Sequence, residues 1–390
     1  MLEKARGPAR TRAARTPKDL ERAPLIIRRV DAVPLALPLK APMKMSGIAI
    51  TRAENVLVRI EAVDGTVGWG EAASAPTMTG DTLGGLVAAV RDHLAPVVRG
   101  QDAWERPRLV AALRRALLGN TGAHSAIEMA LLDLAGRAAG ARAIDLIGRP
   151  RRTSVRPMWL LGNATADDDI TEAHAKQREG FNFFKLKIAV KPLAAEIAAA
   201  LRMRQTLGPA VPLCADANGG LTLDAARRYI EGTRKAKLMF IEQPLRHDDL
   251  KGLRSLTRAS RTPIGVDEGI HSTGDIEAHA RCGAGGVSLK LIKLGGIGAA
   301  IEAAGLCRRL GLSVNVAAKV AESSIGTAAA IHLACAVPSI SWGVSLTHFY
   351  LAEDVVKSPP ILQDGLVLLP SGPGLGVDID EAAVERFRVC

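Results

Sequence analysis

Apolar and polar positions alternate through Ile26–Leu37 and again through Asn55–Ala62, the period-two pattern of half-buried strands. The turn Asp64-Gly65 separates the second stretch from Val67-Gly68-Trp69-Gly70-Glu71, which predicts an antiparallel meander. Helical periodicity follows over about 81–99, 104–117 and 122–139, with Asn120-Thr121-Gly122 parting the last two. Strands followed by helices predict an α+β domain. From about residue 155 the pattern becomes a strict alternation. Apolar runs at 157–162, 183–188, 212–216, 238–242, 263–267, 286–290, 312–316 and 340–344 read as strands. Between them lie helical segments such as Leu193–Leu207, Leu223–Lys235 and Ile297–Leu310. Eight strands of this kind in one stretch predict a closed parallel barrel rather than an open sheet. The glycine-rich segment Ser371-Gly372-Pro373-Gly374-Leu375-Gly376 has no place in the barrel and is expected to fold back onto the first domain.

Composition narrows the class. With 390 residues and 48% hydrophobic content the chain can build a large core and more than one domain. No apolar run reaches the roughly 20 residues needed to span a bilayer, and no signal-peptide pattern opens the chain. The five cysteines (Cys214, Cys282, Cys307, Cys335, Cys390) are scattered without metal spacing, as expected of a cytoplasmic protein. The net charge of +11 is concentrated at the start, where residues 1–30 hold nine Lys/Arg against three Asp/Glu. That leader, with Arg6, Arg10, Arg12 and Arg15, reads as a disordered basic arm. No aromatic interleaving or recognition motif accompanies it, so nucleic acid and membrane are not expected as partners.

Chemistry gathers at the strand ends. Lys187, Asp216, Glu242, Asp267 and Lys290 close successive apolar runs at steps of 29, 26, 25 and 23 residues, the length of one strand-plus-helix unit. In a parallel barrel such positions meet at one mouth, where barrel enzymes place their active sites. In Phe183-Phe184-Lys185-Leu186-Lys187-Ile188 the two lysines share one strand face and Phe184, Leu186 and Ile188 the other. The apolar face packs under the helices, so Lys185 and Lys187 point into the barrel, where mutual repulsion should lower their pKa values. A strand tip in open water would accommodate the same lysines. Asp216, Glu242 and Asp267 offer oxygen ligands, which suit Mg²⁺. With neither His nor Cys at these ends, zinc is disfavoured. Lys290, on the far side of the ring from Lys187, either serves a proton transfer or merely flanks, with Lys293, the helix start at Gly295-Gly296.

These residues carry a resemblance. Lys185-Leu186-Lys187, Asp216-Ala217-Asn218, Glu242-Gln243-Pro244, Asp267-Glu268, Leu289-Lys290-Leu291-Ile292-Lys293-Leu294-Gly295-Gly296, Glu322-Ser323-Ser324-Ile325-Gly326-Thr327 and the glycine-rich loop at 371–376 resemble the enolase superfamily. The resemblance is to its muconate-lactonizing-enzyme subgroup within the mandelate racemase/muconate lactonizing enzyme family. It spans about residue 26 to the end. It implies an α/β fold: a modified TIM barrel, (β/α)7β, over 151–345, with an α+β capping domain over 26–150 completed by 346–390, after a basic arm over 1–25. The implied reaction is abstraction of the proton next to a carboxylate. Asp216, Glu242 and Asp267 would hold Mg²⁺, with Mn²⁺ as a substitute. Lys187 and Lys290 would exchange protons, Lys185 would tune Lys187, and Asn218 and Glu268 would orient the ligands. The outcome would be racemisation, epimerisation or cycloisomerisation of a small carboxylate substrate. A dehydratase using the same intermediate is the alternative enzyme, and a non-catalytic binding protein the alternative class. A homo-oligomer is also implied.

The departures concern the substrate. Muconate cycloisomerases tend to carry Thr-Glu at the end of the last strand, where Val344-Ser345 stands, and the Asp-x-Asp typical of dipeptide epimerases is missing there too. The histidine that the mandelate-racemase subgroup places at the seventh strand's end is replaced by Asn315-Val316-Ala317. Lys319 occupies a position where the subgroup usually has a small residue. It would either face the pocket and bind a second anionic group or lie in solvent. Ser345, Lys319, Glu322 and Lys44 are therefore the expected substrate contacts. Specificity loops are expected at Ala41–Ile50 and Ala73–Thr82, both poor in aromatics, which suits a small acid.

Overall fold

The computed structural model describes residues 23–45, 48–162 and 165–390. The expected arm lies outside the described residues up to position 22; Leu25, at its end, is buried and donates its N–H to Asp102 at 3.0 Å. The first sheet is antiparallel, with β1 (Ile27–Met45), β2 (Ile48–Ala62) and β3 (Val67–Ala73) side by side in that order. The predicted meander is present, but its first two strands run much further than their alternation. Of Ala41–Ile50, expected as a loop, residues 43–45 and 48–50 pair as strand, with Met43 opposite Ile50 and Met45 opposite Ile48. Pro38 and Pro42 cannot donate to the ladder, and the register shifts between Pro38 and Met43, where Leu39 bridges instead to Leu351. Lys44 has its backbone in β1; its side chain lies outside the described residues.

The alternation is interrupted in the middle of β2, where Val56, Leu57 and Val58 are all buried because both faces are covered there. Val56, Val58 and Ile60 pack toward helix Thr121–Ala139, while Leu35, Leu37, Leu57 and Trp69 join the core shared with the barrel. The helix lies directly on β3 because Gly68 and Gly70 face it: a Cβ on Gly70 would collide with the Ala126 carbonyl. The predicted helix at 81–99 is an α-helix over Leu83–Ala88, a π-helical stretch over Ala89–Leu94 and a last turn over Ala95–Val98. The widening precedes Pro96, which lacks an N–H to continue the i→i−4 ladder.

After the short β4 (Ser154–Val155) comes the barrel: β5 (Trp159–Leu161), β6 (Phe184–Lys187), β7 (Leu213–Asp216), β8 (Ile241–Glu242), β9 (Ile264–Val266), β10 (Gly286–Leu289), β11 (Ser313–Ala317) and β12 (Val344–Ser345). All eight are parallel and in chain order. Pro157 bridges to Val344, and the Met158 N–H donates to the Val344 carbonyl at 2.8 Å, which joins the two ends of the sheet. Helices lie between successive strands and none separates β12 from a further barrel strand, so the architecture is (β/α)7β. Two more strands, β13 (Leu362–Gln363) and β14 (Leu366–Leu368), form a small antiparallel sheet with β4. The end of the chain returns to β1, where Leu351 bridges to Leu39 and Arg388 to Leu35. The glycine-rich loop clamps helix Thr121–Ala139. Asp133 accepts from the N–H groups of Leu375 (2.7 Å) and Trp69 (2.9 Å), and a Cβ on Gly374 would strike that carboxylate. No described helix is long and apolar enough to cross a membrane.

Strand alternation stacks the barrel interior in layers. Met158, Phe183, Cys214, Phe240 and Trp342 fill the floor, with the Phe240 and Trp342 rings stacked at 4.1 Å. Gly265 and Gly286 make room for Trp342, whose ring lies where their Cβ atoms would be. Two residues further along each strand, on the same face, come Lys185 after Phe183, Asp216 after Cys214, Glu242 after Phe240, Asp267 after Gly265 and Ser288 after Gly286. The sheet of the first domain is tied to the barrel through Glu71 of β3. It accepts from Ser323 N–H (2.8 Å), Ser323 Oγ (2.7 Å) and Gly326 N–H (2.7 Å) at the start of helix Ser324–Ala336.

Substituting Gly70→Ala should overpack the contact between β3 and the helix and cost roughly 1–3 kcal/mol; an unchanged thermal midpoint would contradict this packing. Burial raises the Glu71 carboxyl from 4.5 to about 7, outweighing the Ser323 and Gly326 donors, while Asp354 adds a smaller upward push and Glu322 is itself buried nearby. A raised folded-state pKa means that stability contributed by the neutral acid is fully present below pH 4.5 and is lost as pH rises through about 7. Wild-type Tm is therefore expected to fall relative to Glu71→Gln between about pH 5 and 8. Parallel curves would show that Glu71 does not carry this dependence.

Candidate active site at the barrel mouth

Above the aromatic floor, at the C-terminal ends of the strands, lies a cavity of about 60 Å³. Lys185, Lys187, Asp216, Asn218, Glu242, Asp267, Lys290 and Ser345 all line it. Separate strands thus bring together residues distant in the chain, as the spacing predicted. Lys187 Nζ lies 2.9 Å from Asp216 Oδ2, Lys185 pairs with Glu242, and Lys290 pairs with Asp267. The hydroxyl of Ser288 donates to Glu242 at 2.5 Å and lies 3.2 Å from Asn315 Oδ1. The Asn315 amide in turn donates to the carbonyls of Trp342 (3.3 Å) and Gly343 (3.0 Å), joining the charged rim to the floor.

Two residues to which the sequence reading gave no role in the site hold this ring in place. Lys293 is completely buried beneath it, 2.5 Å from Asp267 Oδ1, and also donates to the carbonyls of Asp267 and Ser288 (3.1 Å to the latter). Asp267 is thus divided, one oxygen facing Lys293 in the core and the other facing Lys290 in the cavity. Gln243 accepts from the Asp267 N–H at 3.0 Å and donates to Leu245 at 2.8 Å, locking two strand ends together. Its place in Glu242-Gln243-Pro244 was the one available signal. Lys293 lies beyond the strand on a short helical turn, where periodicity does not report direction. Tyr350, which follows β12, also lines the cavity, and the Leu160 N–H donates to its hydroxyl at 3.0 Å.

The electrostatics differ from expectation. Burial pulls Lys185 down, but Glu242 and Asp216 outweigh it and hold the ammonium above its ordinary value. Lys290 is likewise raised: burial lowers it, and Asp267 and Glu268 overcome that. The expected lowering by mutual repulsion fails for Lys185 because the nearest charges are carboxylates rather than the neighbouring lysine. Lys293 is lowered, burial prevailing over Asp267. Asp216 and Asp267 are held below the usual carboxylate range, burial being overcome by Lys187 and Lys185 for the first and by Lys290 and Lys293 for the second.

Asp216, Glu242 and Asp267 could hold a hard cation, since their donors are all oxygens on three adjacent strands around one cavity. Among the described residues no three His, Cys, Asp or Glu stand close enough to form a ready-made cage, because each carboxylate is drawn to a lysine. Glu268 points to the same requirement. Its Oε1 accepts from Asn218 at 2.7 Å, while its buried Oε2 has no hydrogen-bond partner. The donor set fits Mg²⁺, with the ammonium groups supplying the positive charge the carboxylates require. Of the remaining expected contacts, Lys319 lines a neighbouring larger cavity, and Glu322 lines neither cavity. Glu322 is buried, its carboxylate and that of Glu71 both lying against Gly326 where the first sheet meets the barrel.

Comparison with known proteins accords with this arrangement. Residues 27–148 match the mandelate racemase/muconate lactonizing enzyme N-terminal domain, and residues 169–383 the family described as enolase C-terminal domain-like. A chloromuconate cycloisomerase of Cupriavidus pinatubonensis is 32% identical, covering 90% of this chain and 95% of its own. Muconate cycloisomerase 1 of Rhodococcus opacus is 31% identical over 93% of this chain and 98% of its own. The chain belongs to the enolase superfamily, in its muconate-lactonizing-enzyme subgroup. A muconate lactonizing enzyme from Pseudomonas fluorescens, solved with muconolactone, superposes with a TM-score of 0.91 at 27% identity, over 94% of this chain and all (100%) of that one. The enzyme from Pseudomonas putida gives 0.87 at 29% identity, covering 93% of this chain and 100% of its own.

Within this enolase-superfamily frame Lys293 supports the folded structure as well as neighbouring the site. Lys293→Met strips a completely buried partner from Asp267 and is expected to cost about 3–5 kcal/mol in denaturant unfolding. Lys290→Met, whose side chain faces the cavity, should cost clearly less. Equal losses would contradict the assignment of Lys293 to the core side of the ring.

Proposed function

We propose that the protein is an isomerase acting at the carbon next to the carboxylate of a small organic acid, with Lys187 and Lys290 as its acid–base pair. The observation that carries this reading is the order of charged residues around the mouth: lysine, three carboxylates, lysine, on consecutive strands. Lys187 of β6 and Lys290 after β10 stand four strands apart in a ring of eight, so they approach a bound carbon from opposite sides. Asp216, Glu242 and Asp267, between them, would hold Mg²⁺. When bound, the ion offsets the negative charge that builds on the substrate carboxylate as the α-proton leaves.

The chain's own residues account for the rest. Asp216 and Asp267 each engage one of the two lysines, so if those carboxylates held a cation Lys187 and Lys290 would be free for proton exchange. Lys185, held above its ordinary pKa beside Glu242, stays charged and suits the role of orienting the substrate carboxylate. Asn218 and Gln243 fix the carboxylates, the first by donating its N–H to Asp216 at 3.0 Å. A proton taken by one lysine and returned by the other gives racemisation or epimerisation. A proton delivered to the same carbon as a ring closes gives cycloisomerisation, the activity named for the relatives. In this reading residues 26–150 and 346–390 cap the barrel of residues 151–345.

Deuterium exchange tests the proposal. Muconolactone and a panel of small α-substituted carboxylates, incubated in D₂O with Mg²⁺, should include an acid whose α-proton exchanges, with exchange abolished by EDTA. Lys187→Ala and Lys290→Ala should each slow turnover roughly 10²–10⁴-fold. Loss of a β-substituent from the product would identify a lyase instead. Binding of an acid without exchange in any protein variant would favour a non-catalytic role.

A further inference from the structure

We propose that the larger cavity beside the catalytic ring is a subsite for a second anionic group of the substrate, recognised by Lys319. This deepens the proposed function and rests on it, since the first carboxylate is taken to sit at the ring. The outer cavity has a volume of about 480 Å³ and adjoins the smaller one, with Met78, Asn218 and Val320 lining both. Lys319 thus lies on the cavity next to the ring, and Met78 Sδ, on the shared lining, is 3.8 Å from Lys290 Nζ, one of the two proposed bases.

Lys319 is unlike the other cations around this cavity. Arg246 is spent on Asp248 (2.7 and 3.1 Å), and Arg52 donates to the Ala36 carbonyl at 3.2 Å. Among the described residues the Lys319 ammonium has neither an ion pair nor a hydrogen bond, although the residue is only half exposed. Its backbone is fixed, the Lys319 carbonyl accepting from Thr347 Oγ1 at 2.7 Å. A half-buried ammonium without a partner gains most from an anion that replaces its lost water. Burial pulls Lys319 down to about 8, against the attraction of Glu322, with Lys290 adding to the fall and Glu54 opposing it. It thus remains largely charged at neutral pH, and Lys290 adds positive potential from the ring side.

Calorimetric titration of the whole chain with Mg²⁺ present, using dicarboxylic acids from succinic to suberic and their monomethyl esters, tests this. At the best-fitting length the diacid should bind roughly ten- to hundredfold more tightly than its ester. Lys319→Met should bring the ratio toward one, and Lys319→Arg should preserve it. A wild-type ratio near one, or a ratio unchanged in Lys319→Met, overturns the subsite; a fall in Tm alone on that substitution would make Lys319 a counter-ion for Glu322 and Glu54. If no acid binds in either form, the proposed function falls with it, an outcome distinct from equal binding of diacid and ester.

Discussion

Charge neutralisation among buried side chains is the constraint on which the barrel mouth depends. Lys185, Lys187, Lys290 and Lys293 face Asp216, Glu242, Asp267 and Glu268 in a space where any one of them alone would be untenable. Each ammonium has a carboxylate, and nearly every carboxylate oxygen has a donor. The aromatic floor makes this possible by keeping the ring at one level. Trp342 fills the space left by Gly265 and Gly286, and the strand pleat then fixes the rim two residues higher.

Much of this was legible because a strand reports its direction every second residue. Phe183, Lys185 and Lys187 must share a face, and the five rim residues recur at the length of one β/α unit, so the ring could be drawn before any coordinate was known. What stayed hidden depends on contacts that no local period encodes. Lys293 sits on a helical turn and curls back beneath Asp267. The segment 41–50 was expected as a specificity loop on the family resemblance, whereas residues 43–45 and 48–50 pair as strand beyond a register shift. The strands β4, β13 and β14 hold two or three residues each, too few to show alternation. The pKa of Lys185 was misjudged because sequence neighbours were visible and the Glu242 partner, 57 positions away, was not.

The two cavities differ in how they are built. The inner one is built from strand ends and is locked by Ser288, Asn315 and Gln243. The outer one is lined by residues 50–54 of β2 together with connecting segments, including Ser74–Met78 and the turn after β11. Connecting segments are where such folds vary most readily. Of the two departures, Ser345 lines the inner cavity and Lys319 the outer one.

Helix Ser324–Ala336 shows what this costs in modularity. It is almost wholly buried, and the donors at its start are met by Glu71, some 250 residues earlier, and by Asp354, which accepts from the Ser324 hydroxyl at 2.7 Å. Neither carboxylate belongs to a barrel strand. An excised barrel would keep the Ser323 cap on Ile325 but would leave the Ser323 and Gly326 N–H groups without their acceptor and expose the apolar surface around them. Evolution can trade loops at the mouth freely, whereas fusing this barrel to a foreign cap would require the newcomer to bring its own acid to that helix.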